Sequence, residues 1–326
     1  MKISKPIIIK VTGGLTAQLL SLMCAIYLSQ KFKRQFQIRY FSNSTGTYWP
    51  FEIERLLKPS ELESIVSLQR TGVNNNVLPG SYIKDFPLRQ KKFNRYRFLN
   101  VIYRIKLDRL IKKLRGEYVI EGKVTRLERV PKNAKAVTGI FPPILNPEVI
   151  VEMRNRIDTA GHPNPFKDVA SKVDLVIHYR LGDMRKMPAR NSNFGGHGVV
   201  DPLLFKEVIK KYKLCEGNST ITVISDEPEL AISLLEGVGL DNLQATESND
   251  PWDNLSSIAA AQNFIGSLSQ FSTFGAILCH INGGRIFLPS STYGKGSTSL
   301  DFGISEFNYL EYRYLESDHW IFQSEI

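Results

Sequence analysis

The chain has little that would carry it out of a cell or across a membrane. Among 326 residues there are three cysteines, Cys24, Cys215 and Cys279. They have no metal-ligand spacing, and an odd count without an export signal favours reduced thiols in a cytoplasm. No apolar run approaches the roughly 18 residues that a membrane-spanning helix needs. The amino terminus has an apolar triplet, Ile7–Ile9, between Lys5 and Lys10. It is too short for a secretory core and reads as a first strand. No G-x-G-x-x-G with an acidic ribose partner is present, which excludes a dinucleotide fingerprint. Tyr293-Gly294-Lys295-Gly296-Ser297 contains Gly-Lys but lacks the first glycine of a P-loop. No Asp-x-Asp occurs, so a diphosphate bound here is expected to be neutralised by arginine and helix dipoles, with no metal cofactor. Internal repeats and low-complexity tracts are absent as well.

What is present begins with an uneven charge. Between Arg89 and Arg115 there are eleven Lys/Arg and one acid, Asp108, a local balance that equals the whole net charge of +10. The second half of this segment is amphipathic, with Leu99, Ile102, Tyr103, Leu107, Leu110, Ile111 and Leu114 at helical spacing. Three uses stay open for it. It can be a solvated helix face, or it can lie on an anionic leaflet, where each Lys or Arg is worth roughly 1 kcal/mol. Its Phe93, Tyr96 and Phe98 would also suit nucleic acid, but no nucleic-acid motif accompanies them and nucleic acid is not expected as a partner.

The length fits two domains. Strand Pro6–Val11, a turn at Thr12-Gly13-Gly14, helix Leu15–Phe32 and strand Phe36–Phe41 open a doubly wound α/β sheet. Strands follow at Tyr118–Glu121 and Ala136–Phe141, then a helix over Pro147–Ile157. Ala160-Gly161-His162-Pro163-Asn164-Pro165 reads as the linker. The α/β pattern then restarts with strands Val173–His178, Thr220–Ser225, Asn263–Gly266 and Arg285–Leu288. The helices between and after them are expected over Pro202–Tyr212, Pro228–Leu235, Leu255–Gln262 and Phe274–His280. This predicts domains of 1–160 and 161–326.

The richest stretch is Val173–Asp183. A buried apolar strand ends in His178, Arg180, Gly182 and Asp183, where open α/β sheets bind ligands. Arg180 there suits a phosphate, which a guanidinium grips with two parallel hydrogen bonds. Gly13-Gly14 is either a tight turn or a close backbone approach to an anion at a helix N-terminus. Ser225-Asp226-Glu227 ends another strand, with Asp226 either an N-cap or a ligand contact. In Gly266–Ala276, four hydroxyls and free backbone N–H groups between a strand and a small-residue helix suggest an anion nest. Asp183 is the first candidate to take a proton from an acceptor, with Glu227 and Asp226 behind it; its other reading is to hold the Arg180 loop by hydrogen bonds.

Taken in order, Gly13-Gly14-Leu15-x-x-Gln18, His178-x-Arg180-x-Gly182-Asp183, Ser225-Asp226 and Ser269-x-Phe271-Ser272 resemble the α-1,2-fucosyltransferase family. His197-Gly198-Val199-Val200 and the helix ending Lys210-Lys211-Tyr212 are similar to that family's acceptor-side segment. The resemblance covers most of the second half and leaves 42–135 uncovered. It implies a GT-B-like fold of two Rossmann-like α/β domains facing across a cleft. It also implies a GDP-sugar donor, an oligosaccharide or lipid-linked glycan acceptor, inversion at the anomeric carbon and no metal. Arg180 would contact the β-phosphate, His178 and Asp253 would lie near the guanosine, and Ser269 and Ser272 would complete the phosphate site. The chain departs from the family at Leu181, where a second arginine is usual, at Ala17, at Gln270 and at Thr273-Phe274. These positions surround the donor, which leaves GDP-colitose or another GDP-deoxysugar open beside GDP-fucose. A membrane- or polyanion-binding scaffold of the same fold is the other class the sequence allows.

Overall fold

A computed structural model describes residues 5–42, 50–66, 115–121, 127–166, 172–185, 198–215, 219–290, 304–311 and 315. Each of two units is built on a parallel sheet. The first takes in 1–121 and 125–141, the second 122–124 and 142–326. These are the two Rossmann-like α/β units expected of a GT-B-like chain.

In the first unit, β1 (Ile7–Val11) is followed by α1 (Leu15–Phe32), β2 (Phe36–Phe41), β3 (Leu62–Val66), β4 (Glu117–Glu121) and β5 (Ala136–Ile140), ordered β3-β2-β1-β5-β4. Alternation sets the layers. Ile7, Ile9 and Val11 are buried while Ile8 and Lys10 between them are less so. Nearly all of α1 is buried, including Leu19, Leu22 and Met23, so this helix is a core element.

The second unit holds α2 (Pro147–Ala160), β6 (Val173–His178), α3 (Gly182–Arg185), α4 (Pro202–Tyr212), β7 (Ile221–Ile224) and α5 (Pro228–Gly237). It continues with β8 (Leu243–Ala245), α6 (Pro251–Ala259), β9 (Ala261–Ile265), α7 (Gln270–Ile281), β10 (Arg285–Ser290) and β11 (Asn308–Glu311). The strand order is β11-β10-β9-β6-β7-β8. Counted from β6, that is the 3-2-1-4-5-6 order of nucleotide-binding sheets, and it reverses between β6 and β9. Helices cover both faces. Leu175 and Ile177 pack with Leu204, Phe205 and Val208 of α4 and with Ala231 and Leu235 of α5. Val176, on the other face, packs with Ile258 of α6 and Ala276 of α7.

Among the described residues, four helices start at a proline in the first turn: α2 after Asn146, α4 after Asp201, α5 after Glu227 and α6 after Asp250. Proline supplies the helical φ and lacks an N–H that would have no partner there. Asn146, Asp201 and Asp250 cap their helices through the side chain. The Asp250-Pro251 signal starts α6 well before the expected Leu255, and the polypeptide is already in β9 at Ala261. Helix α2 and the residues on either side of it pack within the second unit: Leu145 lies on the Val176 core, and the Phe166 ring meets that of Phe274 edge-on. Asn164 Nδ2 donates to Arg154 O at 3.1 Å, and the His162 ring stacks on Trp252 at 4.8 Å.

Among the described residues no helix is long and apolar enough to cross a membrane. The basic residues of 89–114, residues 291–300 and His197 lie outside the described residues.

Candidate functional site

The polar groups gather where β6 gives way to α3. Tyr179 N donates to Ile224 O at 2.8 Å, which carries the β6–β7 ladder one residue past the strand. The next two amides are taken by side chains. Arg180 N donates to Ser267 Oγ at 3.1 Å, and Leu181 N donates to Asp226 Oδ1 at 2.8 Å. At Gly182 a Cβ would stand 2.5 Å from Asp226 Oδ2, so a larger residue there would displace the carboxylate that holds Leu181 N. Asp226 therefore does not cap α5. The cap position is Glu227, which makes no side-chain cap bond and pairs with Arg185.

Strand alternation continues through this turn. Tyr179 and Leu181 are fully buried and join the α4–α5 core together with Met184, Val199 and Val200. Arg180, on the opposite side, is half-buried. The family's second arginine position is thus, in this chain, a core position pointing away from Arg180.

His178 sits under the turn, on the α7 side. Its Nδ1 lies 2.6 Å from Ser272 Oγ, and its ring packs against Phe271 with centroids 5.0 Å apart. Burial, helped by the positive charge of Arg180, pushes its pKa down to about 3; Asp226 opposes that shift. The imidazole is neutral at physiological pH and acts as a hydrogen-bonding prop, not a second cation.

The serine loop differs from the expected nest of hydroxyls, because all four face inward. Ser267 Oγ donates to His178 O at 2.5 Å, and Ser269 Oγ caps α7 by accepting from Ser272 N at 3.1 Å. Ser272 Oγ is held by His178, and Thr273 Oγ1 donates to Ser269 O at 3.0 Å. Ser272 is 0 % exposed and Ser269 4 %, so neither side chain is presented to a phosphate. What remains for an anion is the backbone: at N1 and N2 of α7, Gln270 and Phe271 have amides without an intrahelical acceptor.

Asp253 stands in the first turn of α6 with its carboxylate exposed, and its Oδ2 accepts from Ser248 Oγ at 2.7 Å. Asp183 lies in the backbone of α3; its side chain is outside the described residues. Among the described residues, no cluster of three or more His, Cys, Asp or Glu is arranged for a metal ion.

Gly13, Gly14 and Gln18 form a second cluster, in the first unit. Gly13 has φ +95° and turns the backbone from β1 into α1, a conformation that favours glycine. Gln18 is fully buried. Its Nε2 donates to Gly13 O and Pro50 O, both at 2.8 Å, and its Oε1 accepts from Glu52 N at 2.9 Å and Ile53 N at 3.3 Å. Every hydrogen-bonding capacity of that amide is used within the unit, so Gln18 shapes the turn and has no group left for a donor sugar.

Three residues that matter for the geometry are visible in sequence only as part of a motif or a gap between motifs. Ser267 is one hydroxyl of four, Leu181 is one departure from the family, and Ser248 belongs to no motif. The signal for Ser267 is its position two residues after β9, at the strand order's point of reversal.

No family model matches the chain, and no curated protein does. Among solved structures it is similar to the α-1,6-fucosyltransferase NodZ soaked with GDP-fucose. The identity is 13 % over 84 % of this chain and 93 % of that one, with a TM-score of 0.38. NodZ is from Bradyrhizobium. It is also similar to the E. coli heptosyltransferase WaaC with ADP, at 10 % identity over 98 % and 97 % of the two chains and a TM-score of 0.37. A third likeness is to POFUT1 in complex with GDP, at 13 % identity over 91 % and 98 % and a TM-score of 0.34. Likenesses of that depth identify no family, and the functional reading comes from the chain's own residues.

Proposed function

We propose that the chain is an inverting, metal-independent glycosyltransferase. It would move a fucose-type deoxysugar from a GDP-sugar to a hydroxyl of a surface polysaccharide or lipid-linked glycan, as an α-1,2-fucosyltransferase would. One observation carries the reading. At the reversal point between β6 and β9, the Arg180 backbone is bonded to the turn that leads into the N-terminus of α7. A fixed cation and a helix N-terminus then act on the same side of the sheet, where nucleotides bind this strand order.

The chemistry follows from charge. As the sugar–phosphate bond breaks, the sugar becomes oxocarbenium-like and negative charge grows on the leaving diphosphate. Arg180 offers that charge two parallel donors, and the α7 amides add theirs. Such preorganised donors are each worth about 3 kcal/mol of barrier. Asp253, exposed at the start of α6, is assigned to the nucleoside end. Asp183 is assigned to the acceptor hydroxyl, whose proton must be taken or at least oriented. His178, Ser269 and Ser272 support the phosphate end without touching it.

Calorimetry with GDP in EDTA tests the nucleotide site, and no binding under those conditions would sink the reading. A turnover screen of GDP-fucose against GDP-colitose and other GDP-deoxysugars then decides the donor.

A further inference from the structure

Beyond the end of a parallel strand, amides lose their ladder acceptors and must find others or face water. At residues 180 and 181 the acceptors are two side chains that come from different neighbouring strand ends. Ser267 follows β9 and Asp226 follows β7. Ser267 Oγ also donates to His178 O, so one hydroxyl grips the backbone on both sides of Tyr179. Ser267 is 4 % exposed and faces the sheet. Asp226 has one oxygen on Leu181 N and the other against Gly182. A carboxylate also makes a poor neighbour for a diphosphate, since like charges repel.

We infer that Ser267 and Asp226 are positioning residues for Arg180. They fix the backbone that aims its guanidinium, and neither touches the nucleotide sugar. The inference rests on the proposed role of Arg180 at the phosphates. A bidentate grip depends on direction as much as on charge, and a displacement of about 1 Å can cost about a hundredfold in rate. β6 itself ends at His178, so the two side chains act on the turn and not on the strand's own ladder.

GDP affinity of the full chain, read by calorimetry, tests this. The variants are Ser267→Ala, Asp226→Ala and Asp226→Asn, each alone and combined with Arg180→Ala. Ser267→Ala and Asp226→Ala should each weaken GDP about tenfold, by loss of aim. Asp226→Asn keeps an Oδ1 acceptor and should recover most of what Asp226→Ala loses. In the Arg180→Ala background the same changes should alter affinity less than about twofold, because residues acting through one another are not additive. Equal losses with and without Arg180 overturn the inference, and so does failure of Asp226→Asn to recover. If Arg180→Ala binds GDP as tightly as the parent, or the parent does not bind it, the phosphate reading itself falls. Ser267→Cys, nearly isosteric with a weaker hydrogen-bonding group, replaces Ser267→Ala should that variant fail to fold, and its affinity should fall between parent and the tenfold loss; parent-like affinity would count against the inference.

Discussion

Both units place a tight turn after their central strand, and they hold it in opposite ways. In the first, a single long amide is enough. Gln18 reaches from α1 to the glycine turn and to the loop at 50–53, with four bonds to backbone and a longer one, 3.5 Å, to the Tyr40 hydroxyl. In the second, three short side chains from separate elements divide the hold among them. Ser267 and Asp226 grip the turn, and Ser272 grips the histidine beneath it. The first turn carries no charged side chain of its own, while the second carries Arg180. A neutral turn needs only a shape, which glycine and one amide give. A turn that presents a cation must also fix its direction, and several short tethers from different strands do that better than one long one.

Substitutions can break this contrast, and the largest effect is expected at Leu181. Leu181→Arg, the change toward the family pattern, would put a charge into the apolar α4–α5 core and cost about 4 kcal/mol of stability in denaturant unfolding. An unchanged midpoint would mean that the position faces the site after all. Arg180→Lys should lower kcat/KM by about a hundredfold or more, near 3 kcal/mol, since an ammonium cannot make the paired contact. Turnover close to the parent's would leave the phosphate role without its principal group. Gln18→Ala should cost about 2 kcal/mol, because the part-buried backbone groups at Gly13, Pro50 and Glu52 and the buried Ile53 amide lose their partner. A thermal midpoint equal to the parent's would show that the first turn does not depend on the amide.

At neutral pH the smallest effect is at His178, whose contribution shows only as a pH dependence. Burial holds His178 neutral, with a folded pKa of about 3 against about 6.5 when unfolded. Below pH 6.5 the unfolded chain takes a proton that the folded one refuses. Stability from this group is therefore complete above about pH 6.5 and declines as the pH falls toward 3, at up to about 1.4 kcal/mol per unit. His178→Gln should flatten that slope between pH 4 and 6 when stability is measured across a pH series. A slope identical to the parent's would show that His178 titrates normally in the folded chain.

Much of this architecture is legible in the residues. Val173–His178 and Pro202–Tyr212 stand at the expected positions, as does Leu15–Phe32. Continuous apolar runs and Asp-Pro starts are strong local signals. β3, β8 and β11 have no such signal. Their segments, Leu-Glu-Ser-Ile-Val, Leu-Gln-Ala and Asn-Tyr-Leu-Glu, mix polar and apolar residues, and β3, β8 and β11 are edge strands that need only one paired side. In the site, the sequence reveals which residue types gather but not which way they face. Four hydroxyls near a helix start look alike in sequence whether they point to a ligand or into the sheet. Strand alternation does carry the answer for Arg180 and Leu181, since adjacent residues leave a strand on opposite faces.

The Ser267 tether has one more consequence. Amides just beyond a strand ordinarily exchange their hydrogens with solvent quickly, as loop amides do. Those of Arg180 and Leu181 are closed by side chains that are themselves anchored on neighbouring strands. They should exchange as slowly as the amides of β6, leaving a protected pair in an otherwise labile turn. Deuterium uptake at those two positions would then serve as a ligand-free gauge of whether the arginine is held in place.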